Sequence, residues 1–226
     1  VRLVRGEGIL MPNGDHQRLL GGSVRDFLDA EGVATSQELA ALGARRVEIS
    51  RLWSRGELRR VTKGLYALPG ARLTALDYAL GAAKLAPRAT LCGPTAAWLL
   101  GVIDRAPDAV WVAVGLHERL PFLGDLRAEF VRWEKDATRL APMELRGHQV
   151  RVADTAGAAV TCWKARERVG YRTTRGVVMA AMRVVGAEAV LVAMEERPRA
   201  RAKFAAYMAA IRRSAPWKAG DHTPTK

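Results

Sequence analysis

Five glycines and one capping box constrain most of what residues 24–70 can become. Residues 24–30 (VRDFLDA) have helical periodicity and run into Gly32, which ends them. Thr35-Ser36-Gln37-Glu38 then reads as a capping box, in which the Thr35 hydroxyl takes an amide of the first turn and the Glu38 side chain reaches back. The helix it opens, SQELAAL, stops at Gly43, a residue suited to the position just past a helix end. A third helix is predicted over about 45–55 (RRVEISRLWSR), stopping at Gly56. Two short runs follow, LRRV (58–61) and LYAL (65–68). Thr62-Lys63-Gly64 between them is a hairpin signal, and Pro69-Gly70 closes the unit.

Helix, helix, tight turn, helix and basic hairpin is the order of a winged helix-turn-helix. On a helical wheel of the third helix, Ile49, Leu52 and Trp53 fall on one side and are expected to pack on the first two helices. Arg46, Val47, Ser50, Arg51 and Ser54 fall on the other side or its flanks, with Arg45 at the start. An arginine there can fork onto guanine O6 and N7, Ser50 can offer a hydroxyl, and Val47 can meet a thymine methyl. The N-terminal part of such a helix reads base edges, which favours Arg45 and Arg46. Arg55, Arg59, Arg60 and Lys63 belong to the wing and its approach, where side chains more often hold phosphates. From 44 to 63 there are seven basic residues against two acids, Glu48 and Glu57. A basic exposed face is often only a solvated face. Basic charge on both the helix and the hairpin, in this order, argues for a groove.

The whole chain points the same way. Its 226 residues carry a formal charge of +13, with a pI near 10.6, an excess that suits a polyanionic partner. A membrane partner is disfavoured, since no apolar stretch reaches about 18 residues and the basic residues are not massed on one amphipathic helix. Arg2 and Arg5 are not followed by an apolar stretch, so no secretion signal is expected and the location is read as cytoplasmic. Cys92 and Cys162 have no CxxC spacing and read as buried thiols. His16, His117, His148 and His222 lie far apart, so no metal site, cofactor or catalytic site is expected.

The pattern predicts an α+β protein: an N-terminal winged helix-turn-helix (23–70) followed by a mixed α/β C-terminal domain (71–215). A loosely ordered segment (1–22) precedes them and a polar tail (216–226) follows. In the second domain, helices are expected over about 73–86 and from Pro94 to Gly101, and strands at 109–114, 127–133 and 149–153. Three helical stretches come next, over about 155–168, 173–185 and 187–211, the last interrupted near Pro198. Between 164 and 213, twelve basic residues face four acids. Either this surface touches DNA backbone, or these are helix arginines laid along apolar surface.

The string VATSQELAALGARRVEISRLWSRGELRRVTKGLYALPG resembles the winged-helix domain of the AbiEi family, antitoxins of type IV toxin–antitoxin systems first met in phage defence. Its ending carries Gly56, Leu58, Arg60, Gly64, Tyr66 and Leu68 at the matching places. TLCGPTAAWLLGV (90–102) and the stretch over 150–182, with Arg166, Val169 and Gly170, are similar to later parts of the family. One departure is Thr161, where the family often has Asp. The resemblance implies a transcriptional autorepressor that binds inverted repeats in its operon's promoter. It also implies a nucleotidyltransferase toxin as operon partner, with or without direct contact.

Three other readings compete. Gly21-Gly22-Ser23-Val24-Arg25-Asp26 is similar to a nucleotidyltransferase signature, but no Asp-x-Asp strand follows to hold two metal ions. A nuclease would need an Asp and a Glu-x-Lys on adjacent strands, for which Glu134-Lys135 and Glu144-Leu145-Arg146 are poor substitutes. A winged helix used for protein contact is the third, and weak salt dependence would mark it.

Overall fold

The computed structural model describes residues 16–133, 140–194 and 198–214. The expectations for the first fifteen residues, for Glu134-Lys135 and for the polar tail lie outside them. Helix α1 (His16–Glu31) starts well before Val24, so residues 16–22, expected to be loose, are helical. Gly21 and Gly22, which argued for looseness, cost only about 1 kcal/mol each against alanine. The GGSVRD string is thus helix interior rather than a phosphate-binding loop.

Next come β1 (Ala34–Thr35), α2 (Ser36–Ala41), α3 (Arg46–Ser54), β2 (Arg59–Thr62) and β3 (Leu65–Ala67). The three strands form an antiparallel sheet in the order β1-β3-β2. Both halves of the predicted capping box are present: the Glu38 amide donates to Thr35 Oγ1 at 3.2 Å and the Thr35 amide to Glu38 Oε2 at 2.7 Å. At the α2–α3 corner Gly43 has φ +92°. Its amide and that of Ala44 donate to Ala40 O and Leu39 O at 2.9 and 3.0 Å, the paired bonds of a Schellman turn. The end of α3 repeats the device, with Gly56 and Glu57 amides donating to Trp53 O and Leu52 O at 3.0 and 2.8 Å. That turn sends the chain back along α3 into the wing.

The second region contains α4 (Ala75–Leu85), β4 (Thr90–Leu91), α5 (Gly93–Leu99), β5 (Val110–Gly115), β6 (Ala128–Trp133), β7 (Leu140–Leu145) and β8 (His148–Ala153). It ends with α6 (Thr155–Lys164), α7 (Arg166–Val169), α8 (Tyr171–Val185), α9 (Ala187–Val192) and α10 (Pro198–Arg213). Its mixed sheet has the order β6-β5-β4-β8-β7. The pairs β5/β6 and β4/β8 are parallel, and β4/β5 and β7/β8 antiparallel. Every residue of β5 (VWVAVG) is buried, as befits a strand covered on both faces. The stretch read as one helix over 155–168 divides at Ala165 into α6 and α7, and the one over 187–211 is α9 and α10. Strands β1, β4 and β7 were not expected. Two residues carry no period, and β7 contains Pro142, which a strand at the sheet edge tolerates.

Strand β3 decides how the two regions meet. Leu65 and Ala67 belong to the large core that runs through the mixed sheet, whereas Tyr66 and Leu68 pack on the small core of α1–α3 with Leu28, Leu39 and Ile49. Gly81 of α4 makes the approach possible: a Cβ there would lie 2.6 Å from Leu65 Cδ2. Polar groups seal the edge of the seam. Lys84 Nζ lies 2.8 Å from Glu38 Oε1 and 3.3 Å from Glu31 Oε2, and donates to Val33 O at 3.2 Å. His148 Nε2 is 2.8 Å from Glu31 Oε2. Arg146, in the left-handed region at φ +47°, sits in the β7–β8 turn, where a following glycine usually shares such angles. Its guanidinium reaches Glu31 O and, at 2.7 Å, Asp77 Oδ1.

Thr161 lies inside α6 and faces the start of α5. Its hydroxyl is buried, accepts the Gly93 amide at 2.9 Å and donates to Gly157 O at 2.6 Å. It thus caps α5 from α6, since Cys92 at the cap position offers no side-chain bond. Cys92 and Cys162 are both buried and free, and burial pushes both thiols up. A thiolate is the reactive form. Both are therefore expected to resist alkylation at mildly alkaline pH in the native protein and to react together in denaturant, as counted by mass spectrometry. Fast labelling of either thiol in the native state would contradict this burial.

Candidate nucleic-acid interface

The side chains on the outer stripe of α3 follow from its turn-to-turn spacing. Ile49 is buried and Leu52 half-buried against α1 and α2, which leaves Arg46, Val47, Ser50, Arg51 and Ser54 exposed. Val47, an apolar residue, is 61% exposed on this face. Ser54 Oγ donates back to Ser50 O at 2.9 Å. Arg45 stands outside the first turn, in extended conformation. Its amide donates to Glu48 Oε2 at 2.7 Å, and its guanidinium lies 3.7 Å from Glu48 Oε1.

Trp53 departs from the expectation that it packs inside. It is 46% exposed, and the Arg60 guanidinium sits over its ring, 5.3 Å from the centroid. The wheel places Trp53 only about 40° from Ile49. The side chain therefore lies at the rim of the buried stripe, and the returning β2 strand covers part of its face.

Arg59, Arg60 and Lys63 are all exposed on the wing. A register shift between Arg60 and Thr62 sets the strand's turn, and Thr62 is buried. Thr62 Oγ1 accepts the Asp125 amide at 3.3 Å, so the loop before β6 backs the wing. Gly64, at φ +85°, lies beside the start of α2, where the Ser36 amide donates to Gly64 O at 3.0 Å. Two of the predicted cations have carboxylate partners: Arg45 with Glu48, and Arg55 with Glu57 at 2.8 Å. Among the described residues, Arg46, Arg51, Arg59, Arg60 and Lys63 have no carboxylate within ion-pair distance. The surface therefore keeps its charge where α3 and the wing lie side by side.

The second basic excess divides. Arg168 is tied to Glu129 Oε2 at 2.6 Å and Phe130 O at 2.7 Å, and lies over Trp111. Arg166 lies over Trp163, Lys164 over Trp133, and Arg201 is 3.9 Å from Glu188. Arg172, Arg183, Arg199, Lys203, Arg212 and Arg213 are exposed. Sequence reasoning assigned no particular role to the tryptophans that organise the tied group.

Three helices, a three-stranded sheet and an exposed cationic third helix define a winged helix-turn-helix of the nucleic-acid-binding class, here joined to a mixed α/β domain. Residues 23–69 match the family described as transcriptional regulator, AbiEi antitoxin. Among solved structures, the crystal structure of RV2827C protein from Mycobacterium tuberculosis is similar at TM-score 0.59 and 21% identity. It covers 85% of this chain and 77% of that one. The likeness is one of fold, and its coverage extends well past the winged helix. No curated protein matches the chain. Among the described residues, no helix is long and apolar enough to cross a membrane, and no group of three or more His, Cys, Asp or Glu side chains is arranged to hold a metal ion.

Proposed function

We propose that this chain is a cytoplasmic, sequence-specific DNA-binding antitoxin that represses its own toxin–antitoxin operon by binding inverted repeats in the promoter. Helix α3 enters the major groove, with Arg46, Val47, Ser50 and Arg51 at base edges and Arg45 at the groove mouth. Arg59, Arg60 and Lys63 hold phosphates, with Arg55 contributing once Glu57 releases it. The operon partner is a nucleotidyltransferase toxin, and repression needs no direct contact with it. The observation that carries this reading is the run of unneutralised cations from the outer stripe of α3 onto the wing, within a segment matching the AbiEi regulators.

The test is binding to duplex from upstream of the chain's own reading frame, followed over a salt series. Three phosphate-holding cations, Arg59, Arg60 and Lys63, with Arg55 as a fourth, predict a log–log salt slope of about −3 to −4 per bound chain. Tight binding to one upstream region, with that slope, supports the proposal. A flat salt dependence sinks it and favours a protein-contact module.

A further inference from the structure

Trp53 has no place in the groove reading and none in the core. Its side chain is 46% exposed on α3, with the Arg60 guanidinium 5.3 Å from the ring centroid. We infer that Trp53 is a positioning residue: it orders Arg60 on the surface shared by α3 and the wing, so that a phosphate meets a cation already in place. This inference rests on the duplex-binding reading above.

The argument turns on what orders a cation without cancelling it. Arg55 is held by Glu57 at 2.8 Å, which fixes the side chain but neutralises it. Exposed arginines with no partner keep their charge but must give up rotamer freedom when they bind. An indole ring attracts a guanidinium through its quadrupole and has no net charge, so the charge of Arg60 stays available to an anion. The backbone makes this juxtaposition firm. Glu57 and Leu58 amides both donate to Leu52 O, at 2.8 and 3.2 Å, which brings β2 back beside the last turn of α3. Arg60 pairs with Tyr66 in the sheet, and Tyr66 packs on the small core, so the strand presenting the guanidinium is itself fixed. A phenylalanine at 53 would keep an aromatic face; an alanine would not.

The experiment uses the intact chain and a labelled duplex of arbitrary sequence at low salt, because phosphate contacts carry no sequence information. Trp53→Ala is expected to weaken binding roughly two- to five-fold. Trp53→Phe should retain most of the affinity. Trp53→Ala in an Arg60→Ala background should cost nothing further, which is the signature of a shared contribution. A second readout is fluorine NMR of fluorotryptophan-labelled protein, with the Trp53 resonance assigned through Trp53→Phe. That resonance should move in Arg60→Ala and on adding duplex. Wild-type affinity in a folded Trp53→Ala variant, additive losses in the double variant, or a Trp53 resonance indifferent to Arg60→Ala would each overturn the inference while leaving duplex binding intact. A wild-type chain that ignores duplex even at low salt would instead remove the reading beneath it, and this inference with it.

Discussion

Lys84→Ala is expected to lower the unfolding free energy by about 3 kcal/mol, a loss carried by a single side chain at the seam between the two cores. Lys84 is only 6% exposed and stands between Glu38 and Glu31. Its ammonium also sits over the Phe27 ring, with Nζ 5.6 Å from the centroid. Removing one partner of a buried ion pair costs about 3–5 kcal/mol, because the charges left behind are neither paired nor well hydrated. The low end applies, since Glu31 and Glu38 keep 16% and 23% of their side-chain exposure. Set against a total stability of roughly 5–15 kcal/mol, the loss is severe. It should appear as a lower urea midpoint with an unchanged slope. Lys84→Met, which keeps the apolar stem, should lose nearly as much if charge is the cause. A midpoint equal to wild type in both variants would mean that the seam does not depend on this lysine.

Acid should act on the same cluster. Burial raises the pKa of Glu38, but bonds from Lys84 and Thr35 outweigh it and hold the carboxyl below its ordinary value. A group whose folded pKa is depressed stabilises the native state above its unfolded pKa, near 4.3 for glutamate. That contribution is lost as pH falls through the lower folded value. Wild-type stability should therefore drop in that acid window, and Lys84→Ala should show a weaker version of the same drop.

Arg46→Ala is expected to cost about 1–3 kcal/mol of operator affinity and to relax base preference at one position of each half-site. Arg46 opens α3, is exposed, and among the described residues has no carboxylate partner. Every part of its charge is available to a base edge. Arg55→Ala is a built-in comparison: Glu57 already holds that guanidinium, so its loss should be smaller and spread over all sequences. Competition binding against operators substituted base by base separates the two patterns. If Arg46→Ala weakens all sequences equally, this side chain holds phosphate and the helix sits differently in the groove.

Much of the winged helix was legible because its instructions are local. The Thr35–Glu38 box spans four residues, and each of its bonds closes within them. Gly43, Gly56 and Gly64 sit where positive φ is needed, and each angle is set by the residue itself and its neighbours. The exposed stripe of α3 follows from helical spacing once Ile49 and Leu52 are inward. Trp53 was misplaced because hydrophobicity says that a side chain gains by burial, not which neighbour supplies it. Strands β1 and β4 escaped notice for a related reason, since two residues become a strand only through the partner they bond.

What the amino-acid order determined alone was therefore the succession of helices, turns and hairpin through residue 69, along with the cationic stripe they display. Only the tertiary structure decided that Leu65 and Ala67 face one core and Tyr66 the other, that Lys84 and His148 meet Glu31 across the seam, and that Arg60 rests on Trp53. Caps and glycine turns are settled by bonds within a few residues. Side-chain partners far apart in the chain exist only after the backbone has closed around them.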